Sequence, residues 1–128
     1  MNFSELQGKT LNRVTGSVGA ETLDFEADDG AVYRLFHDQD CCENVRVEDI
    51  AGDLADLVGA PILLAEESSS GDGDSELHPP GYEAGDSFTW TFYRLRTNKG
   101  DVTIRWLGTS HGYYSERVSF GLVGSEDA

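Results

Sequence analysis

The sequence predicts an α+β domain: an antiparallel β-sheet built from hairpins, with one short amphipathic helix packed on it. Three observations lead there. Two stretches rich in alternating apolar and polar residues, 22–37 and 87–107, each fold back around a turn ending in glycine, ADDG and TNKG. A third stretch, 50–58, places its apolar residues on one helical stripe. Tight turns make neighbouring strands antiparallel, and a lone helix has to bury its stripe against the sheet they form.

Taken in order, Phe3 and Leu6 suit a short helical turn that closes one edge of the core. Residues 11–18 have strand spacing, interrupted at Gly16 and Gly19. In the hairpin 22–37 the turn sets Leu23 opposite Leu35 and Phe25 opposite Tyr33 on the buried face, with Asp24 facing Arg34 on the other. Val45 and Val47 mark a further strand over 44–47. Asp49 is placed to cap a helix over 50–58, with Ile50, Leu54, Leu57 and Val58 on one side and Asp53 and Asp56 opposite. Gly59 and Pro61 end it, and 61–65 (PILLA) reads as a strand buried on both faces. Residues 66–86 lack periodicity and have the composition of a mobile loop.

The hairpin 87–107 holds both tryptophans. A turn over 97–100 that pairs Thr97 with Asp101 sets Phe92 against Trp106 and Arg94 against Ile104. It sets Tyr93 against Arg105 and Thr91 against Leu107 on the opposite face. A last strand follows over 113–123, in which Tyr114, Val118, Phe120 and Leu122 alternate with polar positions.

A chain of 128 residues fits a single domain, 1–128, with one modest core. Its formal net charge of −15 argues against binding duplex nucleic acid, which needs clustered Lys and Arg. The imbalance fits a very soluble protein, a halophilic source, or a surface offered to a basic partner. Seven acidic residues and no Lys or Arg fall in 66–86, whereas five of the nine basic residues fall in 94–117. With neither a bilayer-length apolar run nor a signal-peptide pattern, the expectation is a cytoplasmic protein with no membrane partner.

Three clusters carry chemistry. The densest is His37, Asp38, Asp40, Cys41, Cys42 and Glu43. A histidine beside a cysteine suggests zinc or a thiolate nucleophile. Adjacent cysteines, however, point to opposite faces of an extended chain and lack a second ligand pair, so the expectation is a structural turn with no metal and no cofactor. The second is GTSHGYYSE, residues 108–116, a Gly-bounded Ser/Thr stretch able to meet an anion but lacking both a phosphate loop and a nucleophile elbow. The third sets Trp90, Tyr93, Arg94, Arg105, Tyr113 and Arg117 among the last strands, the ingredients of nucleotide stacking.

The strings QDCCE, WTFYRL…RWLG and GYYSE together resemble a family of small uncharacterised proteins, a domain of unknown function, found in bacteria and their phages. The resemblance spans most of the chain outside the acidic stretch. It implies no assigned activity and no functional residues. Asparagine is usual in that family where this chain has His111, which speaks against a catalytic histidine there. The leading expectation is a non-enzymatic binding protein, a phage or mobile-element factor acting on a host protein through its acidic surface. The alternatives are a nucleotide-binding module sequestering a small phosphorylated defence signal, with a dimer assembling the site, and an enzyme using the His37, Cys41 and Glu43 cluster.

Overall fold

The backbone is organised by its turns, and the described residues form eight strands: β1 (Leu11–Thr15), β2 (Thr22–Ala27), β3 (Val32–Phe36), β4 (Asn44–Ala51), β5 (Leu64–Ser70), β6 (Ser87–Thr97), β7 (Gly100–Ser110) and β8 (Ser119–Val123). The computed structural model describes residues 2–38, 43–70, 87–110 and 116–123. The strands form two antiparallel four-stranded sheets, ordered β1-β2-β3-β8 and β4-β7-β6-β5. One apolar core joins them: Leu23, Phe25 and Leu35 from the first sheet pack with Val47, Tyr93, Ile104 and Trp106 from the second. Phe3 and Leu6, on the 3₁₀ turn Phe3–Leu6, close that core at one end as their spacing predicts. Among the described residues no helix is long and apolar enough to cross a membrane.

The β2–β3 hairpin has the register read from the sequence, with Leu23 opposite Leu35, Phe25 opposite Tyr33 and Asp24 opposite Arg34. Gly30 adopts φ +92°, a left-handed conformation that glycine enters without a Cβ clash. Arg34 then closes on Asp24 at 2.7 Å.

The predicted α-helix over 50–58 is absent. Asp49, Ile50 and Ala51 continue β4, opposite Arg105, Ile104 and Thr103, after a register shift beyond Val47. Gly52 turns the chain at φ +110°, where a Cβ would sit 2.5 Å from the Asp101 carbonyl oxygen. Asp53, not Asp49, is the cap: its carboxylate accepts from the Ala55 N–H at 2.9 Å and opens the 3₁₀ turn Leu54–Leu57. Val58 immediately bridges to Leu11. Strand above and bridge below leave room for one turn, and Leu57 is still buried through it. The fold is therefore mostly antiparallel β, without the helix that an α+β reading requires.

The long hairpin exists, but its register is one residue tighter than expected. Asn98 and Lys99 alone make the loop, so Thr97 pairs with Gly100, Tyr93 with Ile104, Thr91 with Trp106 and Phe92 with Arg105. The loop is held from outside the hairpin. Thr97 Oγ1 donates to the Asp56 carbonyl at 2.5 Å, and Lys99 Nζ donates to the Val58 carbonyl at 2.6 Å. A one-residue change moves every cross-strand partner.

Two boundaries also move. Residues 66–70, expected in the mobile loop, extend β5 against β6, with Glu66 opposite Arg94 and Glu67 opposite Tyr93. The remainder of that loop lies outside the described residues. The last strand, expected over 113–123, runs from Ser119 to Val123 and pairs with β3 in the first sheet, while 113–115 lie outside the described residues.

Candidate functional site: paired charges and an edge cleft

Of the polar cluster, the fold brings together His37 and Glu43, where the chain leaves β3 and enters β4. His37 Nε2 lies 2.8 Å from Glu43 Oε2, and the two side chains are 6% and 1% exposed. His37 Nδ1 lies 2.6 Å from the backbone carbonyl of Arg117, just ahead of β8. A carbonyl only accepts, so Nδ1 carries a proton. One further proton is then shared between Nε2 and Oε2, as imidazolium with carboxylate or imidazole with carboxylic acid. Either way both ring nitrogens are engaged, and the pair ties the two sheets to the approach of β8. This is the geometry of a structural clasp. Asp38 is exposed, and Asp40, Cys41 and Cys42 lie outside the described residues. Among the described residues no three His, Cys, Asp or Glu side chains gather as a metal site.

The Ser/Thr stretch of the second cluster meets an anion belonging to the chain itself. Glu116 is buried, and it accepts from Ser110 Oγ at 2.5 Å and from Thr89 Oγ1 at 2.8 Å. Gly108 makes that approach possible, since a Cβ there would lie 2.6 Å from the Glu116 carbonyl oxygen. His111 and Tyr113 lie outside the described residues.

The third cluster divides. The observed register puts Trp90, Phe92, Arg94 and Arg105 on the outer face of the second sheet, with Tyr93 turned into the core. This corrects the expectation that Tyr93 and Arg105 share a face. The Arg105 guanidinium lies over the Trp90 ring, 4.9 Å from its centre, and also binds Glu48 with Nε 2.7 Å from Oε1. Arg94 meets Glu66 at 3.1 Å. Trp90 itself is 4% exposed, packed with Phe88 and Leu107. Arg117 precedes β8 on the other sheet, so the five described members of this cluster do not converge.

Glu67, which motif reasoning passed over, meets Tyr93 at the margin between the sheets. The Tyr93 hydroxyl donates to Glu67 Oε2 at 2.5 Å. Burial, and then the bond to the Glu67 carboxylate, push that hydroxyl far above its ordinary value of 10.0, with Arg117 acting weakly the other way. Glu67 and Arg117 line one cleft of about 310 Å³, walled by Phe3 and Phe120. The only sequence signal for this cleft was alternation running on from Ala65 through Glu67 in a stretch that looked merely acidic.

The model of one protein family, Domain of unknown function (DUF7448), matches residues 4–120, and the chain belongs to that family. No curated protein and no solved structure matches the chain.

Proposed function

We propose that this DUF7448 protein is a non-enzymatic binding protein that engages a basic protein partner through its acidic surface. The observation that carries the reading is the disposition of its own positive charge. Arg13, Arg34, Arg94, Arg96 and Arg105 are each held by a carboxylate of the same chain, at Glu26, Asp24, Glu66, Asp101 and Glu48. Five of the nine Lys and Arg side chains are thus engaged within the chain, whose formal net charge is −15. Such a field speeds encounter with a basic surface and selects against acidic partners. The bacterial and phage setting implied by the family resemblance makes a host protein the partner in this reading.

The nucleotide-binding alternative ranks lower, because Trp90 is 4% exposed and three arginines on its face, Arg94, Arg96 and Arg105, already have an anion. The enzymatic alternative ranks lower because both nitrogens of His37 are occupied.

The test is affinity capture from bacterial lysate, followed by purification of the captured protein and direct titration at ~0.05 M and ~0.5 M salt, where screening lengths differ about threefold. A basic partner whose affinity falls steeply with salt is expected. A partner bound equally well at both concentrations, or an acidic one, overturns the reading.

A further inference from the structure

We infer that the outer edge of β5 is a docking site for an extended, singly basic segment of a partner protein, which adds to the second sheet as a further strand. The inference rests on the acidic-surface reading above and names where and how that surface binds.

Hydrogen-bond parity identifies the edge. Thr97 pairs with Gly100 across the two-residue turn, so the odd residues of β6 exchange hydrogen bonds with β7 and the even residues with β5. Arg94 and Phe92 stand opposite Glu66 and Ser68. The backbone groups of Glu66 and Ser68 therefore face β6, and those of Ala65, Glu67 and Ser69 point away from the sheet. The first outward amide is satisfied, since Ala65 N–H donates to Gln7 Oε1 at 3.1 Å. Beyond it, the described residues give the outward groups of Glu67 and Ser69 no partner.

Two other sheet edges are occupied in part. On β4, Val47 N–H donates to the Ala20 carbonyl at 2.9 Å and its own carbonyl accepts from Gly19 at 2.8 Å. On β1, Leu11 bridges Val58, and Thr10 bridges Pro61. Strand β8 is the edge of the first sheet, and through Phe120 it borders the same cleft as Glu67. An unpaired strand edge is a template for another strand, with the main chain giving affinity and alternate side chains giving specificity.

Charge selects the occupant. A second copy of β5 pairing antiparallel on this edge about its centre would set Glu67 opposite Glu67, a like-charge juxtaposition that cross-strand pairing penalises. A lysine or arginine opposite Glu67 instead enters the cleft, lays its stem along Phe3 and Phe120, and meets the Glu67 carboxylate, which can accept more than the one bond from Tyr93. Arg117 across the cleft disfavours a second cation beside it. The preferred segment is thus extended, rich in β-formers, and carries one central basic residue.

The experiment uses the intact protein and a fluorescein-labelled eight-residue probe of valine and threonine with one central lysine, read by fluorescence anisotropy. Three comparisons accompany it: the same probe with glutamate for lysine, the probe N-methylated on alternate amides in each of the two phases, and polylysine across a salt series. Ser69→Pro removes an outward N–H without touching the ladder to β6, and Glu67→Gln keeps an acceptor for Tyr93 while removing the charge. The lysine probe binds and the glutamate probe does not. One phase of N-methylation and Ser69→Pro each weaken binding about tenfold or more, and Glu67→Gln about fivefold, the sizes expected for lost backbone and charge-assisted bonds. If Ser69→Pro fails to fold by circular dichroism, Glu67→Gln and the N-methylated probes decide alone. Unchanged binding across the variants and both methylated probes overturns edge docking, while salt-sensitive polylysine binding leaves the acidic-surface reading standing. Absence of binding by both probe and polylysine removes both. Self-association in sedimentation that Ser69→Pro abolishes assigns the edge to a second copy and overturns the inference.

Discussion

Replacing Tyr93 by phenylalanine removes one oxygen from the middle of the fold and changes how stability depends on alkaline pH. The ring is fully buried, and its hydroxyl donates to the Glu67 carboxylate at 2.5 Å. A hydrogen bond to a charged group is worth about 1.5–3 kcal/mol, and Glu67, being exposed, recovers part of that from water, so Tyr93→Phe should cost about 1.5 kcal/mol at pH 7. The sign at high pH follows from the raised hydroxyl pKa. Above its unfolded value of 10.0 the unfolded chain releases the phenolic proton, whereas the folded chain keeps it. Folding then binds a proton, and stability contributed by this group falls by about 1.4 kcal/mol per pH unit as pH rises. Tyr93→Phe cannot lose what it lacks. Urea unfolding of both proteins between pH 7 and 11.5, followed by tryptophan fluorescence, should show the gap closing near pH 11. Parallel curves over that whole range would refute the argument.

Three further outcomes follow from the buried contacts. Gly108→Ala forces a Cβ to within 2.6 Å of the Glu116 carbonyl oxygen, and should lower unfolding free energy by about 2 kcal/mol through overpacking. Glu116→Ala leaves the hydroxyls of Thr89 and Ser110 without their acceptor, at a cost of about 2–3 kcal/mol in the same denaturation assay. Glu43→Ala strands His37 Nε2 in a buried site and should cost about 3 kcal/mol, with amide exchange near β3 and the approach to β8 accelerated first.

How far the sequence carried the fold depended on whether each stretch had one face to bury. Thr22 to Phe36 separates Leu23, Phe25, Tyr33 and Leu35 from Asp24 and Arg34, so only one register keeps the charges out, and that register is observed. The long hairpin has aromatic residues at consecutive positions, Phe92 and Tyr93, on a sheet whose two faces both collect apolar groups. Alternation there cannot choose between registers one residue apart. The choice is made by Asp56 and Val58, which hold the turn from a distant segment. The helical stripe of Ile50, Leu54 and Leu57 was equally met by the end of a strand followed by one 3₁₀ turn. Strand β5 hid because its inward position beyond Ala65 is Glu67, an acid whose partner, Tyr93, is 26 residues away. Likewise His37 and Glu43 were legible as a cluster, but their role depends on the carbonyl of Arg117, 80 residues on.

The central claim is that a basic extended partner takes the open edge of β5, and residue-resolved amide exchange tests it most directly. Exchange at Glu67 and Ser69 should be fast in the free protein, because their N–H groups face outward, while Glu66 and Ser68 exchange slowly through their bonds to β6. With the lysine probe at saturation, Glu67 and Ser69 should slow by about tenfold or more while Phe120 and Leu122 on β8 stay unchanged. Protection at Phe120 and Leu122 alone, or none at Glu67 and Ser69 under saturating probe, would contradict it.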